Sequence, residues 1–138
     1  MYILDTDHVS LLQRKSGHEA ERLRFRLVRF ERATTIITFE EQTRGWLAYL
    51  ARARSLAEQV ERYKKLKQLL IDYGEMIVLN FDEQAADVFQ ELQKQRLRVG
   101  TMDLKIAAIA MANNATLLSR NLKDFGKIPT LQVEDWAA

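Results

Sequence analysis

The chain begins Met1-Tyr2-Ile3-Leu4-Asp5-Thr6-Asp7, and every later element is placed relative to this stretch. The apolar run Tyr2-Ile3-Leu4 is too short for a helix and has the character of a fully buried strand. It leads straight into the carboxylates of Asp5 and Asp7. Ligands of open parallel sheets sit beyond the carboxyl ends of the strands. An acidic site would therefore start at Asp5, and the rest of the sequence is read for side chains that reach the same edge.

Working outward, β-branched and apolar runs predict further strands at 33–38, 76–79, 115–119 and 131–133. Between them lie helical patterns. Asp7 is read as the cap of a short helix through Val9, Leu11 and Leu12. The stretch 19–32 would place Leu23, Leu27 and Phe30 on one face. A helix from Phe39 through Leu50 follows, with Thr38 and Glu41 spaced as a capping box and Gly45 suggesting close packing. The pattern at 55–73 is amphipathic, with Leu56, Val60, Tyr63, Leu66, Leu70 and Tyr73 at helical spacing. Asp82 caps a helix carrying Ala85, Ala86, Phe89 and Leu92, and Asp103 opens the apolar helix 104–112. One helical turn is expected at 122–125. Strands alternating with helices predict a single α/β domain over 1–138, with a mainly parallel central sheet of about four to five strands flanked by helices on both faces.

The bulk composition narrows the chemistry. The chain has 138 residues, with 21 basic and 19 acidic side chains and a net charge of +2. This balance permits a nucleic-acid partner without demanding one. The absence of cysteine excludes disulfides, thiolate metal ligands and cysteine nucleophiles. No basic segment leads into an apolar signal region, and no apolar run approaches the roughly 18 residues of a membrane helix. The expectation is a soluble, cytoplasmic protein with no membrane partner.

Asp5 closes the first strand, Glu41 lies in the first turn after the second, and Asp103 precedes the fourth, which Asn121 and Asp124 follow. Carboxylates brought together raise one another's pKa unless something positive lies between them. A hard divalent cation, Mg²⁺ or Mn²⁺, would fit such oxygen donors. Each residue also has a plainer role: Glu41 in the capping box, Asp103 as a helix cap, Asp124 as a turn residue. Asp5 is the hardest to dismiss, because a carboxylate after a buried strand needs a partner. His8 and His18 lack a nucleophile context and are read as solvated. Arg22, Arg24, Arg26, Arg29 and Arg32 could track a phosphate backbone, although a solvated helix face accounts for them slightly better.

Taken together, these motifs resemble the PIN-domain ribonucleases, and among them the VapC-like toxins of toxin–antitoxin pairs. Ile3-Leu4-Asp5-Thr6-Asp7-His8-Val9-Ser10 is similar to the family's first motif, where the position of Asp7 is usually asparagine. Thr38-Phe39-Glu40-Glu41 is similar to the second and places the family glutamate at Glu41. Val99-Gly100-Thr101-Met102-Asp103 resembles the third; Leu117-Leu118-Ser119-Arg120-Asn121 and the following Asp124-Phe125 resemble the tail. At Asn121 the chain departs from the family, many of whose members carry a fourth aspartate. The resemblance implies a Mg²⁺- or Mn²⁺-dependent endoribonuclease whose metal is held by Asp5, Glu41 and Asp103. A metal-activated water would hydrolyse RNA phosphodiester bonds, with Thr6, Ser119, Asn121 and Asp124 in support. It also implies a VapB-like antitoxin as partner and a homodimer.

Other functions are compatible with parts of the pattern. Asp5-Thr6-Asp7 fits an Asp-x-Asp phosphatase with Asp5 as nucleophile and Asp7 as general acid, but the later lysine and acidic pair are missing. A non-enzymatic Mg²⁺-binding signalling domain would use Asp82 as phosphoacceptor. An RNA-binding module with a dead site would have no reason to retain an idle acidic trio.

Overall fold

A computed structural model describes residues 1–138. The chain order is β1 (Tyr2–Leu4), α1 (Thr6–Leu12), α2 (His18–Leu27), β2 (Arg32–Thr35), α3 (Ile36–Ala51), α4 (Leu56–Gly74), β3 (Val78–Leu79), α5 (Glu83–Lys94), α6 (Thr101–Ala112), β4 (Thr116–Leu118), α7 (Leu122–Phe125) and β5 (Val133–Glu134). The five strands form one sheet in the order β3-β2-β1-β4-β5, and every pairing is parallel. The opening strand is therefore central, with Ile3 paired to Ala33 on one side and to Leu117 on the other.

Side-chain alternation along the strands divides the core into two layers. Ile3 and Leu117 point into a cluster with Ile106, Ile109 and Phe125. Their neighbours Leu4 and Leu118 point the other way, against Val9, Leu23, Leu27 and Trp136. Helix α6 is apolar nearly all round, as a buried helix must be, and Ile106 through Ala110 are fully enclosed. Asp82 caps α5 as anticipated, its Oδ1 accepting from the Ala85 N–H at 2.9 Å. Asp82→Ala is expected to cost about 1 kcal/mol, measurable by urea unfolding, because it leaves an N-terminal amide of α5 without its acceptor.

Several local expectations are corrected. Helix α2 stops at Leu27, and Phe30 lies beyond it, edge-on to Tyr2 and Trp136 at centroid distances of 5.1 and 5.6 Å. Strand β2 ends at Thr35 and α3 starts at Ile36, because the Thr35 hydroxyl accepts from the Thr38 N–H at 3.1 Å and caps the helix. The cap lies three residues earlier than the Thr38–Glu41 pattern suggests, so Glu41 has no capping role. A Cβ at Gly45 would meet open space, so no close packing occurs there. The apolar stripe of α4 is divided: Leu56 is 77% and Leu70 67% exposed, with Val60 and Tyr63 also outward, while Leu66 and Tyr73 pack with Leu69 toward the core. Periodicity reports that a helix is amphipathic, not what covers it. No helix is long and apolar enough to cross a membrane.

Candidate active site

Strand β1 carries Asp5 to the carboxyl edge of the sheet. The Asp5 N–H still belongs to the ladder, donating to Leu118 O at 2.9 Å, while its extended backbone makes it the N-cap of α1. Its carboxylate accepts from the Thr6 N–H at 2.7 Å and from Ser119 Oγ at 2.7 Å. Asp5 is only 6% exposed. Burial raises its pKa to about 6, against the lowering effect of the Ser119 and Thr6 hydrogen bonds, and the charges of Asp7 and Asp103 push the same way as burial.

Glu41 lies in the second turn of α3, where its Oε1 accepts from Thr6 Oγ1 at 3.3 Å. Burial raises its pKa, Thr6 opposes, and Asp103 and Glu40 add to the rise. Glu40 itself turns outward to Arg44 at 2.7 Å. Asp103 stands in the first turn of α6 rather than at its cap, which is Gly100. Burial raises its pKa first, then the charges of Asp124 and Asp7. Asn121 reaches both remaining acids, with Nδ2 at 3.4 Å from Asp103 Oδ2 and 3.2 Å from Asp124 Oδ2. Asp124 is held below the ordinary range by Asn121 and by Lys127 at 3.2 Å.

The carboxylates thus divide into two kinds. Asp124 has its own cation. Asp5, Glu41 and Asp103 have no lysine or arginine nitrogen within 4.0 Å. Their charges interact, yet no three acidic or histidine side chains are close enough together to form a coordination shell. An all-oxygen donor set, partly buried and repelling across Asp103 with nothing positive to offset it, has the chemistry that suits a hard divalent cation.

Two residues of this edge carry roles that the sequence reading missed. His8 was expected in solvent and is fully buried, facing Asp7 Oδ1 through Nδ1 at 2.6 Å. Its position three and four residues before Leu11 and Leu12, on the same side of α1, was the available signal. Asp7 does not cap α1. It accepts from His8, from the Arg120 N–H at 3.0 Å and, weakly, from Ser119 Oγ at 3.3 Å. Burial opposes ionisation of Asp7, but these hydrogen bonds outweigh it and hold the carboxyl below the usual range. An acid held ionised this way is unsuited to the proton-donor role of an Asp-x-Asp phosphatase. Asp82, with Oδ1 occupied by its own helix, makes an equally poor phosphoacceptor. Two of the arginines of α2 are drawn into packing as well: Arg24 donates to Leu12 O at 2.7 Å, and Arg26 lies 4.1 Å over the Trp136 ring.

Comparison with known proteins adds a family. The PIN domain model matches residues 2–131. The chain is 30% identical to ribonuclease VapC1 of Haemophilus influenzae strain R2866, over 99% of this chain and 98% of that protein. It is also 30% identical to the tRNA(fMet)-specific endonuclease VapC of Salmonella typhimurium, over 98% and 97% of the two chains. Among solved structures it is similar to VapBC2 from Rickettsia felis bound to a promoter DNA fragment. There the TM-score is 0.74 and the identity 25%, over 98% of both chains.

Proposed function

Because the chain belongs to the PIN domain family, and within it to the VapC ribonucleases, we propose that it acts as a metal-dependent endoribonuclease, the toxin of a toxin–antitoxin pair. One observation carries this reading: β1, α3 and α6 bring three carboxylates without cationic partners to the carboxyl edge of one parallel sheet. Asp5, Glu41 and Asp103 would hold the ion. Mg²⁺ or Mn²⁺ bound there would neutralise the carboxylates and polarise an RNA phosphate.

The chain's own residues prepare that edge. Ser119 Oγ, donating to Asp5 Oδ2 and accepting from the Asn121 N–H at 3.0 Å, fixes one carboxylate oxygen. Thr6 does the same at two points, through its N–H to Asp5 and its hydroxyl to Glu41. Asn121 supplies an uncharged donor between Asp103 and Asp124, where a further aspartate would add repulsion. Water adds in line at phosphorus and the P–O3′ bond breaks, leaving 5′-phosphate and 3′-hydroxyl ends.

A VapB-like antitoxin is the partner that the VapBC likenesses support. Apolar surface is available for it. The outward part of the α4 stripe is one such surface. Another is a cleft of about 630 Å³, lined by Leu12, Leu27, Val28, Phe30, Met76 and Ile77 among others, to which none of the three acids contributes. A homodimer would cover part of the same exposed apolar area.

Incubating the purified protein with total RNA and Mn²⁺ is expected to produce discrete fragments whose mapped ends carry 5′-phosphate. Co-purification with its antitoxin should suppress the cleavage. Intact RNA under these conditions would refute the assignment.

A further inference from the structure

His8 has no part in the functional reading above, yet it is the most completely enclosed polar ring in the molecule and its two nitrogens connect distant segments. The main-chain N–H of Trp136 donates to His8 Nε2 at 3.1 Å. A ring nitrogen that accepts from an amide carries no hydrogen, so the proton must reside on Nδ1, which faces Asp7 Oδ1 at 2.6 Å. The other Asp7 oxygen accepts from the Arg120 N–H at 3.0 Å, and Ser119 Oγ is 3.3 Å from it. Ser119 in turn gives its shorter bond to Asp5. The groups reach one another in sequence from Trp136 through His8, Asp7 and Ser119 to Asp5.

We propose that His8, in its Nδ1–H form, is a positioning residue for the acidic edge: it fixes Asp7, which holds the Ser119–Arg120 backbone so that Ser119 Oγ is aimed at Asp5. The segment after β5 thereby becomes part of the site's support, because Trp136 sets which nitrogen carries the proton. Asp135 Oδ1, which accepts from the Ala137 N–H at 2.8 Å, stands 3.7 Å from Nε2 and makes no hydrogen bond to it, so the Trp136 amide is the donor that Nε2 meets. The placement resembles a familiar pattern around metal sites, in which a partner one layer back orients a liganding side chain. This inference rests on the nuclease reading for its activity test but not for its spectroscopic one.

Long-range ¹H–¹⁵N spectra of the metal-free wild-type protein should show His8 as the Nδ1–H tautomer. An Nε2–H signal would overturn the proposal whatever the protein cleaves. Two amide substitutions separate the ring's functions. His8→Asn keeps a donor near the Nδ1 position, whereas His8→Gln keeps only an acceptor near Nε2. For folded protein, His8→Gln is expected to lower kcat roughly 10- to 100-fold, with KM for RNA changed by less than about twofold. Mn²⁺ affinity, read by calorimetry, should fall about tenfold. His8→Asn should restore most of the lost rate. Asp7→Ala should reproduce the His8→Gln defect, and the double variant should be no worse than Asp7→Ala alone, since both act through one chain of contacts. Equal rates in all variants, additive losses, or losses that simply follow thermal stability with His8→Asn no better than His8→Gln would refute the positioning role.

Discussion

Replacing Asp5 with asparagine is expected to stop RNA cleavage and, above about pH 6, to stabilise the protein. The first effect follows from the site, where Asp5 is the most buried of the three acids without a cationic partner and the one on which Ser119 and Thr6 converge. Loss of the metal ligand proposed at this position should exceed the roughly 10- to 100-fold typical of a supporting residue. The second effect follows from burial. The folded-state pKa, about 6, lies above the ordinary 3.8, so the folded protein binds this proton more tightly than the unfolded chain does. That preference favours folding fully below about pH 3.8 and is lost as pH rises through 6. Two units correspond to about 3 kcal/mol, the order of the burden carried by the charged carboxylate near neutral pH. Asparagine carries no charge there. Urea unfolding at about pH 8 should find Asp5→Asn more stable than wild type by up to this amount, with the advantage gone near pH 3.5. A pH-independent difference would mean that burial of the charge is not what destabilises this edge.

Removal of divalent ions should abolish cleavage as completely as the substitution does. With EDTA the three carboxylates are left to repel, and no lysine or arginine is near enough to replace the ion. Adding back Mn²⁺ or Mg²⁺ in excess is expected to restore activity and raise the melting temperature, by mass action on the folded state. Protons compete for the same oxygens, whose pKa values are raised in the free protein, so the thermal shift should be larger at about pH 8 than at pH 5. Asp5→Asn should show little shift at either pH. Undiminished cleavage in EDTA would overturn the metal-dependent reading.

Much of this edge could be read from the chain alone because its elements are local. Tyr2–Leu4 is a strand bounded by its own carboxylate, Asp82 caps the helix it precedes, and Leu122–Phe125 forms its single turn where anticipated. Several of the failures turn on partners remote in sequence, while others, such as the start of α3, turn on which of two neighbouring hydroxyls caps the helix. Ile36 and Ile37 favour a strand by propensity, yet the Thr35 hydroxyl and the packing of Ile37 into the core start a helix there. The α4 stripe has the spacing of a buried face but is split, with Leu56, Val60, Tyr63 and Leu70 outward while Leu66 and Tyr73 join Leu69 against the rest of the molecule. His8 accepts from Trp136, 128 positions away, and that contact decides whether the ring is wet or enclosed.

Asp5 receives its closing hydrogen bond from a serine 114 positions downstream, and the central strand gains its second neighbour only with β4. During synthesis, a chain that still lacks those residues has its acidic edge half built, because so distant a pairing must wait for both ends. The acidic edge closes only once Ser119 is available to fold back onto Asp5.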